Sequence, residues 1–286
     1  MWPYWILFLF PAWMAISHLK AISLQSGRWS GMWWIAFVLL ILMIGFRHEV
    51  GGDWYNDWEM VTGIRAPGAD VLFSDALGQK DRGYALLVWL VNQSGFDIYT
   101  LDILSAIPFT LGLLAFCRSQ PRPWLALTIA IPYLVIVVAM GYTRQSMAIG
   151  FSMLGLVALS HGRAFHFISW LAIASIFHMS AIILMPLAIL AGSKRKAFTI
   201  FWVTVSTFIL FILILKESVD KLILNYIGAE MESSGAGIRI AMNALPAILF
   251  LTCRLRYDMD PKDSIFWWRM SWGAILYEIL LLVSQS

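Results

Sequence analysis

Apolar residues run almost unbroken through long stretches of this chain, and short polar segments separate them. A helix needs about 20 mostly apolar residues to cross a bilayer, with roughly 17 as the floor. By that measure the pattern predicts helices over 2–18, 29–46, 100–117, 123–141, 145–160, 165–191, 197–215, 238–253 and 266–284. A shorter run, 83–95, is marginal as a crossing. An open sheet edge has no hydrogen-bond partners in lipid, and the alternation that would build a barrel is missing, so every span is expected to be helical. The expected fold is all-α, a polytopic membrane bundle of about 9–11 helices once short and re-entrant ones are counted. No repeat or linker divides the chain, so residues 1–286 are expected to form a single transmembrane domain.

The middle of the pattern does not count out as simple crossings. The run from Ala164 to Ala191 is too long for one ordinary span, and it contains Ser175, His178, Ser180 and Pro186. Split near His178, it becomes two short helices in a hairpin. Basic residues in short loops mark the cytoplasmic side. Lys20 and Arg28, then Lys194 to Lys196, then Arg254, Arg256, Lys262 and Arg269 are assigned inside, which leaves the N-terminus and the loops 47–82 and 216–237 outside. Parity then requires that 83–95 is re-entrant or that 123–141 bends at Pro132. The first is favoured because it puts Arg118 and Arg122 inside.

Composition excludes a soluble enzyme. The chain is 60% hydrophobic and 13% charged, against about 25% charged in a soluble domain. The net charge of +3 is spread over loops, which gives no basis for nucleic-acid binding. Cys117 and Cys253 stand far apart in no metal or disulfide spacing. The N-terminus has no basic stretch before its apolar run and no small-residue cleavage site, so it is expected to be a retained first span.

Ionisable residues that adjoin or interrupt spans are costly and mark function more often than they do in water. Four clusters qualify: Arg47 to Asp57, then Lys80-Asp81-Arg82-Gly83-Tyr84, then Arg144-Gln145, then Phe177-His178-Met179-Ser180. The topology above places all four on the outer side. Arg47, Arg82 and Arg144 suit an anion, because guanidinium is the preferred planar donor to phosphate oxygens. Arg239 opens a later span in the same manner. Asp53 and Asp81, with Glu49 and Asp57 nearby, are candidates for a general base or for sugar-hydroxyl ligands. Glu49, Asp53 and Asp57 recur every four residues, but Gly51-Gly52 argues for a turn there. Imidazole titrates near neutrality, which makes His178 a candidate acid or base; it is equally a packing residue. Each arginine has a plain alternative as an interfacial side chain, and the first cluster has one as a solvated loop. No P-loop, G-x-S-x-G or H-E-x-x-H motif is present.

In this order, Phe46-Arg47, Val50-Gly51-Gly52-Asp53-Trp54, Asp81-Arg82-Gly83-Tyr84, Arg144-Gln145-Ser146-Met147-Ala148 and Phe177-His178-Met179-Ser180-Ala181 resemble the EpsG family, Wzy-like polymerases of bacterial exopolysaccharides and O-antigens. The match is firmest over roughly residues 30–192. It implies a glycosyltransferase of the bacterial cytoplasmic membrane with its active site facing the periplasm or exterior. That enzyme would transfer a growing glycan from undecaprenyl pyrophosphate onto a lipid-linked repeat unit. The implied catalytic residues are Asp53, Asp81 and His178. The implied ligands of pyrophosphate and sugar are Arg47, Arg82, Tyr84, Arg144, Gln145 and, more weakly, Arg239. Positioned cations would meet the charge developing on the leaving group, so no metal and no cofactor is expected. The expected partners are the undecaprenyl-pyrophosphate-linked oligosaccharide and membrane lipid, with a chain-length regulator and a flippase. Family members usually run longer, so the C-terminus is expected to be truncated relative to the family or to belong to a short variant. A transporter of lipid-linked oligosaccharide and a membrane sugar O-acyltransferase are the competing functions.

Overall fold

The computed structural model describes residues 2–17, 29–62, 81–185, 205, 236–253 and 261–284. These fall into two compact units, Met1–Met185 and Pro186–Ser286, each described by itself. Among the described residues every regular element is helical, as the hydropathy pattern predicts.

The first unit contains α1 (Trp2–Ser17), α2 (Gly31–Gly45), α3 (Trp54–Thr62), α4 (Arg82–Gln93), α5 (Ile98–Arg118), α6 (Pro123–Ala130), α7 (Thr143–Ser160) and α8 (Ala164–Phe177). Helix α6 runs straight on into a π-helical segment, Ile131–Ala139, with Pro132 in its first turn. Proline has no N–H to donate, and a wider π turn is one way a helix absorbs that loss. In the second unit, α9 (Ala236–Cys253) packs against α10 (Pro261–Ser284). The predicted span 197–215 lies outside the described residues, as does most of the return arm of the hairpin expected after His178.

Helix α5, with 21 residues, is long and apolar enough to cross a membrane; several others are shorter apolar helices. Their exteriors carry large apolar side chains. On α1, Trp2, Trp5, Ile6, Leu9, Trp13 and Ile16 are all exposed. In water a patch of this size would be a liability, whereas in lipid it is the natural outer surface.

The core lies between α1, α2, α5 and α6. Leu7, Leu40, Ile44, Phe109, Leu113 and Ile131 are buried there, and Trp33 stacks on Trp124 at 4.0 Å. Helices α5 and α7 meet through glycine. A Cβ on Gly112 would overlap the Gly150 carbonyl, and one on Gly150 would overlap the Pro108 carbonyl. Lipid supplies no hydrophobic drive to join helices, so backbone-to-backbone approach through small residues is how they pack.

Helix α4 does not cross. Tyr84, Val88 and Val91 span most of its length, yet all three pack in one cluster with Leu101, in the first turn of α5, and Met147, near the start of α7. The helix therefore lies across one end of the bundle. That placement is the one the re-entrant alternative for 83–95 calls for, and residues 123–139 run on as one helix from α6 into its π-helical segment.

Candidate functional site

Helices α2, α6 with its π segment, and α8 end at the same level at which α5 and α7 begin. The polar clusters gather at that end of the bundle. Two of the glycines in them have physical reasons. Gly51 sits at φ +100°, where a Cβ would overlap the Met140 carbonyl. The Asp53 N–H then bonds the Gly141 carbonyl at 3.1 Å. The turn after Arg47 is thus pressed onto the loop that closes the π-helical segment. Gly83 faces Ile176; a Cβ there would come 2.7 Å from the Ile176 side chain and 3.2 Å from its carbonyl oxygen. Without side-chain bulk, the start of α4 lies against the end of α8, and Asp81 comes beside His178.

Arg47 is 5% exposed, and all five of its N–H groups are used. Nε and Nη2 fork onto the two oxygens of Asp102 at 3.2 and 2.8 Å. Nη1 donates to the Ala139 carbonyl at 3.1 Å and to the Met140 carbonyl at 2.5 Å. The second Nη2 proton goes to Thr143 Oγ1 at 2.5 Å. Thr143 passes its own proton to Asp57 Oδ2 at 2.7 Å. Carbonyls at a helix C-terminus have no intrahelical donor, so a buried guanidinium satisfies them and complements the dipole. The expectation that Arg47 binds pyrophosphate meets this obstacle: it has no donor left to offer.

Beside this network is a looser one. Asp81 Oδ2 stands 3.6 Å from His178 Nδ1 and 3.7 Å from Arg144 Nη1. These separations are ion-pair contacts too long for hydrogen bonds. Asp81 Oδ1 and His178 Nδ1 are buried with no hydrogen-bond partner among the described residues. The Arg144 guanidinium lies over the Tyr84 ring, 5.6 Å from its centre, and the side chain is about a third exposed. Tyr84 is buried. Its hydroxyl and Asp57 Oδ1 both lack a hydrogen-bond partner among the described residues. His178 occupies the break between α8 and a 3₁₀ turn, Met179–Leu184, in extended backbone, so its ring leaves the helix surface and turns toward Asp81.

The two carboxylates shift in opposite directions. Burial pushes the Asp57 carboxyl above its usual range, with the Asp53 charge adding to the effect; the Thr143 and Tyr84 hydroxyls and Arg47 offset only part of it. Burial also pushes Asp81 up, but His178, Arg144 and the Met179 N–H outweigh it, and Asp81 ends below the usual carboxylate range. Asp81 is therefore a firm anion beside a histidine, while Asp57 resists ionisation.

Of the residues singled out in the sequence, Asp81, Tyr84, Arg144 and His178 come together in this cluster. Asp53 is half-buried at the start of α3, where it contributes its backbone N–H and its charge. Arg82 and Gln145 are exposed, and neither makes an ion pair or side-chain hydrogen bond among the described residues. Arg239 falls in the second unit, in the first turn of α9. The sequence reading passed over Asp102 and Thr143, and named Asp57 only as a neighbour of Asp53. Asp102 had a signal, since it is a lone carboxylate within an apolar run.

No curated protein and no solved structure matches the chain. The family model for EpsG matches residues 31–285. That stretch contains every residue of both networks and nearly the whole chain, and so the protein belongs to the EpsG family.

Proposed function

We propose that this membrane protein of polysaccharide biosynthesis is a polymerase, a glycosyltransferase that moves a growing glycan from undecaprenyl pyrophosphate onto a lipid-linked repeat unit. The observation that carries the reading is the Asp81–His178–Arg144 cluster, with polar atoms buried yet unbonded and a guanidinium held in place but not consumed. Hydrogen bonds that tighten only when substrate is bound are common at catalytic sites.

The roles follow from the geometry. Asp81 faces Nδ1 of His178, which favours the tautomer with its proton there and leaves Nε2 as the base. Nε2 takes the proton of the acceptor hydroxyl. The acceptor oxygen bonds the donor's anomeric carbon, and the bond from that carbon to the pyrophosphate oxygen breaks. The electron pair leaves on the phosphate, and Arg144 meets the charge. Tyr84 braces Arg144 from below. Arg47, with Asp102, Thr143 and Asp57, frames the site and does not touch substrate.

The buried charged residues among those described, Arg47, Asp57 and Asp102, all belong to one end of the bundle. A pathway for a charged lipid-linked substrate needs charged groups along the length of its helices, so this placement favours transfer over transport. Arg118, Arg122 and Arg163 mark the opposite ends of the same helices, which supports an outward-facing site by the positive-inside rule.

The test is complementation of a deletion strain with Arg144→Ala and His178→Ala, reading polymer length on a gel and lipid-linked repeat units by mass spectrometry. Each variant should lower polymer by about 100-fold or more, with single repeat units accumulating on the lipid. Normal long-chain polymer in both variants would overturn the assignment.

A further inference from the structure

A second cavity opens at the same end of the bundle, between α3 and the turn from α4 into α5. Asp57 of α3 accepts from Thr143. Trp54, Trp58, Val61 and Thr62 of the same helix line a cleft of about 390 Å³. The opposite wall is the end of α4 and the turn into α5: Asn92, Gly95, Phe96, Asp97, Ile98 and Tyr99, with His48 at the side. The volume falls within the range of small-ligand sites, about 300–1,000 Å³.

The lining has a consistent chemistry. Its aromatic surface is large and partly open, with Trp58 37% and Phe96 59% exposed. The Tyr99 hydroxyl and His48 Nδ1 share a 2.8 Å hydrogen bond, and His48 packs edge-on against Trp54. The rings are therefore held in place. Asp97 spends Oδ1 on the first turn of α5, accepting from the Thr100 N–H and hydroxyl. Its other oxygen has no partner among the described residues. Asn92 donates to the Val61 carbonyl at 2.7 Å, which leaves its own oxygen as an acceptor. Flat apolar rings beside hydrogen-bond acceptors suit a ring with an apolar C–H face and a rim of hydroxyl donors. Among the described residues no lysine or arginine lines the cleft, so an acidic sugar would meet Asp97 without a counter-charge from them.

We propose that this cleft is a distal glycan subsite that holds a neutral pyranose of the saccharide chain. The proposal rests on the polymerase reading above. Helix α4 links the two places: Asp81 and Tyr84 at one end belong to the catalytic cluster, and Asn92 at the other lines the cleft. At 1.5 Å rise per residue, Tyr84 and Asp81 stand about 12 and 16 Å along the helix from Asn92, the length of a short oligosaccharide. A sugar held there is several residues from the bond being made, so the cleft governs how long a chain stays bound and takes no part in the chemistry.

The test uses the full chain purified in detergent, and as probe the neutral repeat-unit oligosaccharide released from the host's own polymer by mild acid. Binding is followed by tryptophan fluorescence and checked by calorimetry. Trp58→Ala and Tyr99→Ala should each weaken binding by about tenfold, the loss of one ring contact. Arg144→Ala should bind this pyrophosphate-free probe as tightly as the parent chain. In cells, Trp58→Ala should still polymerise but yield shorter chains. Trp58 is already partly exposed, so this change should fold; a melting curve verifies that, and Tyr99→Phe, which keeps the ring and should bind nearly normally, serves as a second check. Undiminished binding in both alanine variants would overturn the subsite while leaving the polymerase reading in place. Normal polymer in Arg144→Ala and His178→Ala would overturn the polymerase reading instead.

Discussion

Replacing Arg47 by methionine separates a framing role from a ligand role. Methionine roughly keeps the volume and deletes the charge. Asp102, 1% exposed, then loses a bidentate partner, and Asp57, fully buried, loses the cation behind Thr143. Breaking a buried pair by removing one partner costs about 3–5 kcal/mol. At about 2–4 °C per kcal/mol for a unit of this size, the melting temperature should fall by about 6–20 °C. The chain carries its own reporter. Cys117 is buried at the far end of α5 from Asp102, so a thiol-reactive fluorophore will report global opening in a Cys253→Ser background. Arg47→Lys should recover only a small part of the loss, because one ammonium cannot reproduce five donors in a planar fork. Arg47→Met with Asp102→Leu should recover most of it, since no unpaired charge remains at that pair. Arg144→Met is the contrast: its ion pair is long and partly exposed, so melting should shift by about 1 kcal/mol or less while polymer disappears. An Arg47→Met chain that melts like the parent and yet makes no polymer would refute the framing role.

Three further outcomes follow from the same geometry. The raised Asp57 carboxyl binds its proton more tightly in the folded state than in the unfolded one, so stability falls as pH climbs from the ordinary carboxylate value through the folded value; Asp57→Asn should therefore melt higher than the parent at about pH 7, with the gap narrowing toward about pH 4, and a gap that widens on acidification refutes this. Gly112→Ala pushes a methyl into the Gly150 carbonyl and should cost about 1–3 kcal/mol, measured by the Cys117 assay, with no loss expected if the two helices part freely. Gln145 is exposed beside the cluster; in a chain with both native cysteines replaced, Gln145→Cys should react with an impermeant maleimide on intact spheroplasts, and labelling only after lysis would reverse the orientation.

Much of the helical framework was legible because apolar length and helical propensity act locally. The break could be placed near His178, since the apolar run there is too long for one span and turns polar at Ser175, His178 and Ser180. Site depth was not legible. The four-residue spacing of Glu49, Asp53 and Asp57 suggested one face, but the helix starts only at Trp54, because Gly51 must close on Met140 first. That late start buries Asp57 and leaves Asp53 half-open. Arg47 and Arg144 look alike as arginines at span ends. What separates them is a carboxylate 55 residues downstream of Arg47, inside another helix, and sequence spacing carries no trace of such a pairing. The carbonyls that complete the Arg47 shell depend on the π-helical end of residues 131–139, and apolar pattern cannot distinguish a π turn from an α turn.

The shell around Arg47 also sets an order of assembly. Its guanidinium is made long before its partners: Asp102 follows by 55 residues, Ala139 by 92 and Thr143 by 96. While the chain is being synthesised, the first two helices must therefore wait with an uncompensated cation at the end of α2. Insertion of α5 supplies the counter-ion, and arrival of the π-helical segment and of α7 supplies the remaining acceptors. The shell around Arg47 is complete only when the chain has passed Thr143, so this polar end of the bundle is not formed on a nascent chain that has only its first three apolar helices.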